Sequence, residues 1–312
     1  MALIEVSNLS KQFKGVLAVD DISFTVNEGD VYGFLGQNGA GKSTTMRMLL
    51  TLIKPTSGSI RIFSKELSEG RHKILQQTGA IIEKPDLYKY LSAYDNLSIF
   101  ARLSGISITK NLIMDRLNRV GLGERSNSKV KTFSQGMKQR LGIAVALIHD
   151  PRLIILDEPS NGLDPQGIAD IRNLILQLRE TGKTVVISSH LLSEIELVAN
   201  RMIILHKGKK IVEGNVTDLL DPAETIVQIE TTDNILAREK INSSPDFSTK
   251  LQNDNNGIRL KMNKNEVPAL VHRLSEWGVD VIAIQPRHSL EDYFISLTNS
   301  ENHDEAIKHR AL

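Results

Sequence analysis

Val31-Tyr32-Gly33-Phe34-Leu35-Gly36, followed by Gln37-Asn38-Gly39-Ala40-Gly41-Lys42-Ser43-Thr44, decides the fold of this chain. Residues 31–36 read as an apolar strand ending on Gly36, and 43–52 (STTMRMLLTL) as a helix. Between them, Gly36 to Ser43 fits GxxxxGK closed by a serine. The glycines let backbone N–H groups wrap phosphates, and the following helix presents its positive N-terminus to them. In such a loop Lys42 reaches the β- and γ-phosphates and Ser43 ligates Mg²⁺. Gly36, Asn38, Gly39, Gly41, Lys42, Ser43 and Thr44 are therefore the candidate nucleotide-binding residues. A nucleoside triphosphate with Mg²⁺ is the expected occupant.

A phosphate loop of this kind needs a carboxylate on a neighbouring strand for the metal. Residues 153–159 (LIILDEP) supply Asp157 at a strand end, with Glu158 next to it. Asp157 is assigned to the metal side, and Glu158 is the candidate to orient or polarise the attacking water. The segments 152–157 and 184–188 (TVVIS) are unbroken apolar strands of the kind buried on both faces. Residues 54–58 (KPTSG) read as a turn broken by Pro55 and Gly58.

Strands alternating with amphipathic helices make residues 1–215 an α/β domain. Its interruption lies at about 84–150, where helices are predicted over 92–104, 109–120 and 134–149 with no strand, as an inserted helical subdomain. Ser92 and Asp95 make a cap ahead of Leu97, Phe100 and Leu103. A later helix is capped by Asp164, carries Pro165 at its first position, buries Ile168, Ile171, Ile175 and Leu178, and ends at Gly182.

From about residue 216 the texture changes to more Asn and Ser. A strand at 225–230, a helix at 234–241 and a hairpin turning at Asn256-Gly257 are predicted, with Ile258, Leu260 and Met262 alternating in its second strand. A helix with Leu270, Val271, Leu274 and Trp277 on one face follows, closed by Gly278, and then a strand at 279–284. The order β-α-β-β-α-β suggests a small ferredoxin-like α+β domain over 216–312. Its polar tail, after about Asn299, is expected to fray.

Composition bounds the function. The chain has 312 residues, 40% hydrophobic and 24% charged, with 38 Lys+Arg against 37 Asp+Glu. A net charge of +1 disfavours a nucleic-acid binder. The absence of cysteine excludes a disulfide scaffold, a thiolate metal site and a cysteine nucleophile. The N-terminal stretch does not read as a signal peptide. No apolar run approaches the roughly 18–20 residues that span a bilayer, so any membrane-spanning helices must come from other chains.

Phe133-Ser134-Gln135-Gly136-Met137, before Lys138-Gln139-Arg140, resembles the signature (LSGGQ and variants) of the ABC ATPases. Ser160-Asn161-Gly162-Leu163-Asp164 resembles their D-loop, and Ser188-Ser189-His190 their switch histidine. Phe13, between Lys11 and Gly15, sits where that family places an aromatic on adenine. Alone, a phenylalanine is usually core and a histidine after a strand usually structural; it is the order and spacing that separate these residues from that reading. The resemblance covers about 2–215 and implies an ABC-type P-loop NTPase core. It also implies a head-to-tail dimer in which ATP on one subunit is capped by Ser134 and Gly136 of the other, with Asp164 in the D-loop nearby. The signature helix would aim its N-terminal dipole at the γ-phosphate. His190 would contact that phosphate and couple hydrolysis to dimer opening.

Two departures narrow the resemblance. Gln135 and Met137 replace the second Gly and the Gln of the commonest signature, and Glu83 stands where the family usually has a Gln that ligates Mg²⁺ and water. This "E-loop", Asp86 to Leu91 after it, and the ending Leu290-Glu291-Asp292-Tyr293-Phe294 resemble the ATP-binding subunits of bacitracin-export and lantibiotic-immunity transporters. The resemblance implies separate permease subunits, a peptide antibiotic as cargo and a place on the cytoplasmic face of the membrane. The segment Glu83–Tyr94, with Pro85 and Tyr88, Tyr90 and Tyr94, is the expected permease contact. Glu83 is also expected to repel Asp157 and the γ-phosphate unless the metal is bound.

Other readings compete. A first alternative keeps the exporter and changes the cargo to a lipid, an ion or a polyketide drug, since nothing in a cassette's chemistry reads cargo. ABC ATPases of translation typically carry two cassettes, and those of DNA repair separate the phosphate loop from the Asp-Glu pair by long coiled coils; neither pattern is present. A kinase or GTPase would lack the signature and His190.

Overall fold

Val31–Leu35 is buried at every position because it lies in the middle of a sheet covered on both faces. The computed structural model describes residues 1–219, 225–252 and 257–288. They divide into two compact units, Met1–Val216 and Thr217–Leu312.

The first unit opens with a long hairpin, β1 (Ala2–Phe13) and β2 (Val16–Asn27), before β3 (Val31–Leu35) and α1 (Lys42–Leu49). Then come β4 (Ser57–Ile62), β5 (Lys65–Glu66), α2 (Leu67–Leu75) and β6 (Thr78–Ile81). Strands β1, β2, β4 and β5 form an antiparallel sheet in the order β2-β1-β4-β5, which the alternating α/β reading of the sequence misses. Its pairing shifts between Val6 and Leu9, where Asn8 has φ +49°, so the two-residue alternation that would have announced a strand is broken. The turn expected at 54–58 is shorter, since Ser57 and Gly58 already belong to β4.

The helical insertion follows with α3 (Ala93–Leu103), α4 (Lys110–Arg119) and α5 (Gln135–Ala146). The cap on α3 is reciprocal: Asp95 N–H donates to Ser92 Oγ at 3.0 Å and Ser92 N–H to Asp95 Oδ2 at 3.3 Å. Its buried face is Ala93, Asn96, Leu97 and Ala101, whereas Leu103 is exposed. Asn96 is buried because its side chain serves as backbone for the preceding loop. It donates to Tyr88 O and Ser92 O, and accepts from Tyr88 N–H at 2.8 Å.

The chain then returns to the core through β7 (Leu153–Leu156), α6 (Pro165–Glu180), β8 (Thr184–Ser189), α7 (Leu192–Val198), β9 (Arg201–His206), β10 (Lys209–Asn215) and α8 (Val216–Leu219). The second sheet has the order β10-β9-β3-β8-β7-β6, parallel throughout except for β10. Tyr32 and Phe34 pack with Phe24 of the antiparallel sheet. Gly33, on the opposite face, lies under Ile195 of α7. On α6 the buried stripe is Ile171, Leu174, Ile175 and Leu178; Ile168 is only half-buried.

A polar network ties the sheets together: Arg201 donates to the Thr25 carbonyl oxygen of β2 at 2.7 Å, and the Thr25 N–H donates to Glu213 Oε1 at 3.3 Å. The Tyr32 hydroxyl donates to Glu213 Oε1 at 2.8 Å, and Arg201 pairs with Asp30 at 3.3 Å and Glu213 at 3.5 Å. Burial, and then the Glu213 charge, push the Tyr32 phenol well above its ordinary range, so its donor role persists at any working pH.

The second unit contains β11 (Thr225–Thr231), α9 (Asn234–Asn242), β12 (Leu251–Gln252), β13 (Ile258–Met262), α10 (Val267–Glu276) and β14 (Val281–His288). Its sheet order is β12-β13-β11-β14, antiparallel throughout, the ferredoxin-like arrangement. Ile258, Leu260 and Met262 face a core with Leu270 and Leu274. Val271, expected on that face, is 38% exposed. Asn256, Leu290–Phe294 and the tail after Asn299 lie outside the described residues.

The tightest helix–sheet approach is at Gly79 of β6, where a Cβ would stand 2.1 Å from the Ala146 carbonyl oxygen that ends α5. Gly79→Ala should cost about 2 kcal/mol, lowering the melting temperature of the unit by roughly 4–8 °C. Scanning calorimetry checks this, and an unchanged transition would mean that α5 yields freely.

Candidate functional site

Strand β3 ends at the phosphate loop and α1 begins where the loop closes. Gly41 is the N-cap residue with φ +101°, and a Cβ there would meet the Ala18 carbonyl oxygen at 2.7 Å, so the turn requires glycine. No side chain caps α1 and its first turn carries no acidic residue. The positive helix end thus opens toward an anion. A cleft of about 1050 Å³ lies in front of it. Of the predicted residues, Asn38, Gly39, Gly41, Lys42, Ser43, Thr44, Glu83, Asp157 and Glu158 line this cleft.

The Lys42 ammonium is folded inward and only 4% exposed. It donates to the carbonyl oxygens of Gly36 at 2.5 Å and Gln37 at 3.1 Å, and pairs with Glu158 Oε1 at 3.1 Å. The other Glu158 oxygen, Oε2, meets His190 Nδ1 at 2.8 Å. Glu158 adopts φ +47°, a backbone conformation that side chains seldom take. Ser188 holds the base of this arrangement: its hydroxyl donates to Asp157 Oδ1 at 2.7 Å and accepts the Glu158 N–H at 2.8 Å. Asp157 itself is buried.

Phe13, Ser134, Gly136 and Asp164 lie elsewhere. Phe13 is 44% exposed at the tip of the β1–β2 hairpin, with the Lys11 ammonium 5.0 Å from its ring centre, and does not line the cleft. Val16, Leu17 and Lys207 do line it, and sequence reasoning missed all three. The two apolar residues follow the Gly15 turn directly, which is their only signal. Ser134 caps α5 by accepting the Met137 N–H at 3.2 Å, and Asp164 caps α6 by accepting the Gly167 N–H at 3.1 Å. Ser134, Gly136 and Asp164 do not line the cleft of their own chain.

Glu83 departs from expectation. It has φ +65° and is 67% exposed, and its carboxylate is paired with Arg47 on α1. The repulsion expected between Glu83 and Asp157 is therefore offset by a guanidinium already in place. Ser43, Asp157 and Glu83 offer the hard oxygen donors that suit Mg²⁺. Among the described residues no cluster of three or more His, Asp or Glu could hold a metal alone.

The ABC transporter family model matches residues 19–161. The chain is 42% identical to the bacitracin transport ATP-binding protein BcrA of Bacillus licheniformis, over 95% of this chain and 97% of that one. It belongs to the ABC transporter ATP-binding proteins. This ABC subunit is accordingly an ATP hydrolase, of a family whose members dimerise and work with membrane permeases. It is also 44% identical to the lantibiotic transport ATP-binding protein SrtF of Streptococcus pyogenes, over 68% of this chain and 90% of that one. Among solved structures, cbiO1 from Clostridium perfringens, part of the transporter complex cbiONQ, superposes with a TM-score of 0.63 at 28% identity, covering 70% of this chain and 90% of that one. No helix among the described residues is long and apolar enough to cross a membrane.

Removing the guanidinium in Arg47→Ala leaves the Glu83 charge uncompensated beside the cleft. The ratio of ATP affinity with Mg²⁺ to that without it should then rise about two- to fivefold, the scale of an exposed pair. Titration calorimetry in Mg²⁺ and in EDTA measures it, and an unchanged ratio would deny Arg47 this compensating part.

Proposed function

We propose that this subunit powers the export of a peptide antibiotic, lantibiotic or bacitracin-like, through separate permease subunits, and so confers immunity or resistance. What carries the reading is the match to a bacitracin transport protein through both units of the chain rather than through the ATPase unit alone. Glu83 in place of the usual glutamine supports it. The subunit would sit at the cytoplasmic face of the membrane, held there by the permease, with the segment Glu83–Tyr94 against a cytoplasmic loop. Tyr88 and Tyr90 are 51% and 79% exposed, which suits a surface awaiting a partner.

In this reading the phosphate loop and Lys42 bind the ATP phosphates, and Phe13 approaches the adenine as the hairpin tip adjusts. Ser43, Asp157 and Glu83 would hold Mg²⁺, which supplies charge neutralisation at the phosphates. Glu158 polarises the attacking water, and His190, already bonded to Glu158, meets the γ-phosphate. Ser134, exposed at the start of α5, and the half-buried Gly136 of a second copy would close the cleft, with Asp164 beside them.

Glu158→Gln should bind ATP and lose about a hundredfold or more of its hydrolysis. Size exclusion with ATP and Mg²⁺ should then show a trapped dimer. A monomeric, fully active variant would refute the role. For the cargo, a strain lacking the gene should become sensitive to bacitracin or a lantibiotic, and Lys42→Ala should fail to restore resistance; unchanged sensitivity to both classes would remove the peptide-antibiotic reading.

A further inference from the structure

A further carboxylate, that of Glu194, stands behind Glu158 and His190. Glu194, in the first turn of α7, is half-buried, and a single oxygen of it, Oε2, accepts two hydroxyl hydrogens. One comes from Ser160 at 2.8 Å and the other from Ser189 at 2.6 Å. Ser189 also accepts the Leu191 N–H at 3.0 Å, so its only hydrogen is committed to Glu194.

The sequence positions of these serines give the contact its meaning. Ser160 is two residues after Glu158, in the turn closed by Asn161 N–H to Glu158 O at 3.1 Å and Leu163 N–H to Ser160 O at 3.2 Å. Ser189 directly precedes His190. The contacts therefore close a ring that runs from Glu158 to Ser160, across Glu194 to Ser189, and through His190 back to Glu158. One side is fastened by the 2.8 Å contact of His190 with Glu158, the other by Glu194. We infer that Glu194 is a positioning residue, which holds the Ser160–Asp164 loop to the His190 segment so that Glu158 and His190 keep their mutual geometry. Glu194 does not line the cleft. The inference rests on the reading of Glu158 and His190 as the hydrolytic pair.

The chemistry of the contact makes a specific demand. Both hydroxyls converge on one oxygen, and a glutamine amide oxygen also has two lone pairs. The geometry thus needs an acceptor at this point rather than a negative charge. Alanine removes the acceptor, and glutamine restores it without the charge.

The test measures ATP turnover of the full chain with Mg²⁺ for Glu194→Ala, Glu194→Gln and the double variant Ser160→Ala/Ser189→Ala. A loosened pair should lower kcat about tenfold in Glu194→Ala while KM for ATP stays within about twofold, since misplacement affects the reacting groups and not the phosphate loop. Glu194→Gln should recover kcat to within about threefold of wild type, and the serine double variant should resemble Glu194→Ala. If Glu194→Ala does not fold, the double variant, which leaves the carboxylate in place, decides the question by the same split. Wild-type kcat in Glu194→Ala or in the double variant would overturn the inference. So would a glutamine variant as slow as the alanine variant with an unchanged melting temperature. Glu158→Gln in the same assay separates the two readings: if it still hydrolyses ATP, the hydrolytic pair is wrong. If it is inactive while Glu194→Ala turns over normally, only the part given to Glu194 fails.

Discussion

The burial of one ammonium group organises the ATPase unit. An unpaired charge at that depth would cost several kcal/mol, and Lys42 is held there by two loop carbonyls and by Glu158. The carbonyls and the carboxylate belong to different pieces of the fold. The carbonyls require the loop to curl around the lysine, which requires the glycine turn at Gly41. The carboxylate requires the end of β7 to lie beside the end of β3, with β8 between them supplying Ser188 and His190. A parallel sheet meets that demand, because its strands all deliver their C-terminal ends to one edge.

That sheet in turn depends on being covered. Tyr32 and Phe34 would be exposed on one face without the antiparallel sheet above them, and α7 covers the other. The buried Tyr32 hydroxyl cannot be left without a partner, and Glu213 of the edge strand β10 provides it while Arg201 offsets the carboxylate. Polar and apolar contacts thus fix the same registration of β3 and β9 under the upper sheet.

Much of this was legible in the sequence, for identifiable reasons. The loop from Gly36 to Ser43, the pair Asp157 and Glu158, and His190 were found because their chemistry restricts residue type at fixed spacing. The caps at Ser92, Asp95 and Asp164 were found because capping needs particular side chains next to a helical pattern. The antiparallel sheet escaped because the irregularity at Asn8 interrupts the alternation that marks a half-buried strand. Val16 and Leu17 carry no chemical signature, and only the folding of the β1–β2 hairpin over the cleft gives them a place. The neighbour of Glu83 escaped for another reason: Arg47 lies on α1, and no local pattern tells which distant charge an arginine will meet.

The double use of Glu158 has a thermodynamic corollary. With one oxygen on Lys42 and the other on His190, Glu158 serves the lysine as an internal anion. On the function proposed above, a triphosphate would have to displace that internal ligand from the lysine. Its affinity would then be the intrinsic one reduced by the work of parting the pair. A cleft built this way would hold nucleotide less tightly than its donors alone allow, which would favour exchange of spent for fresh nucleotide between cycles.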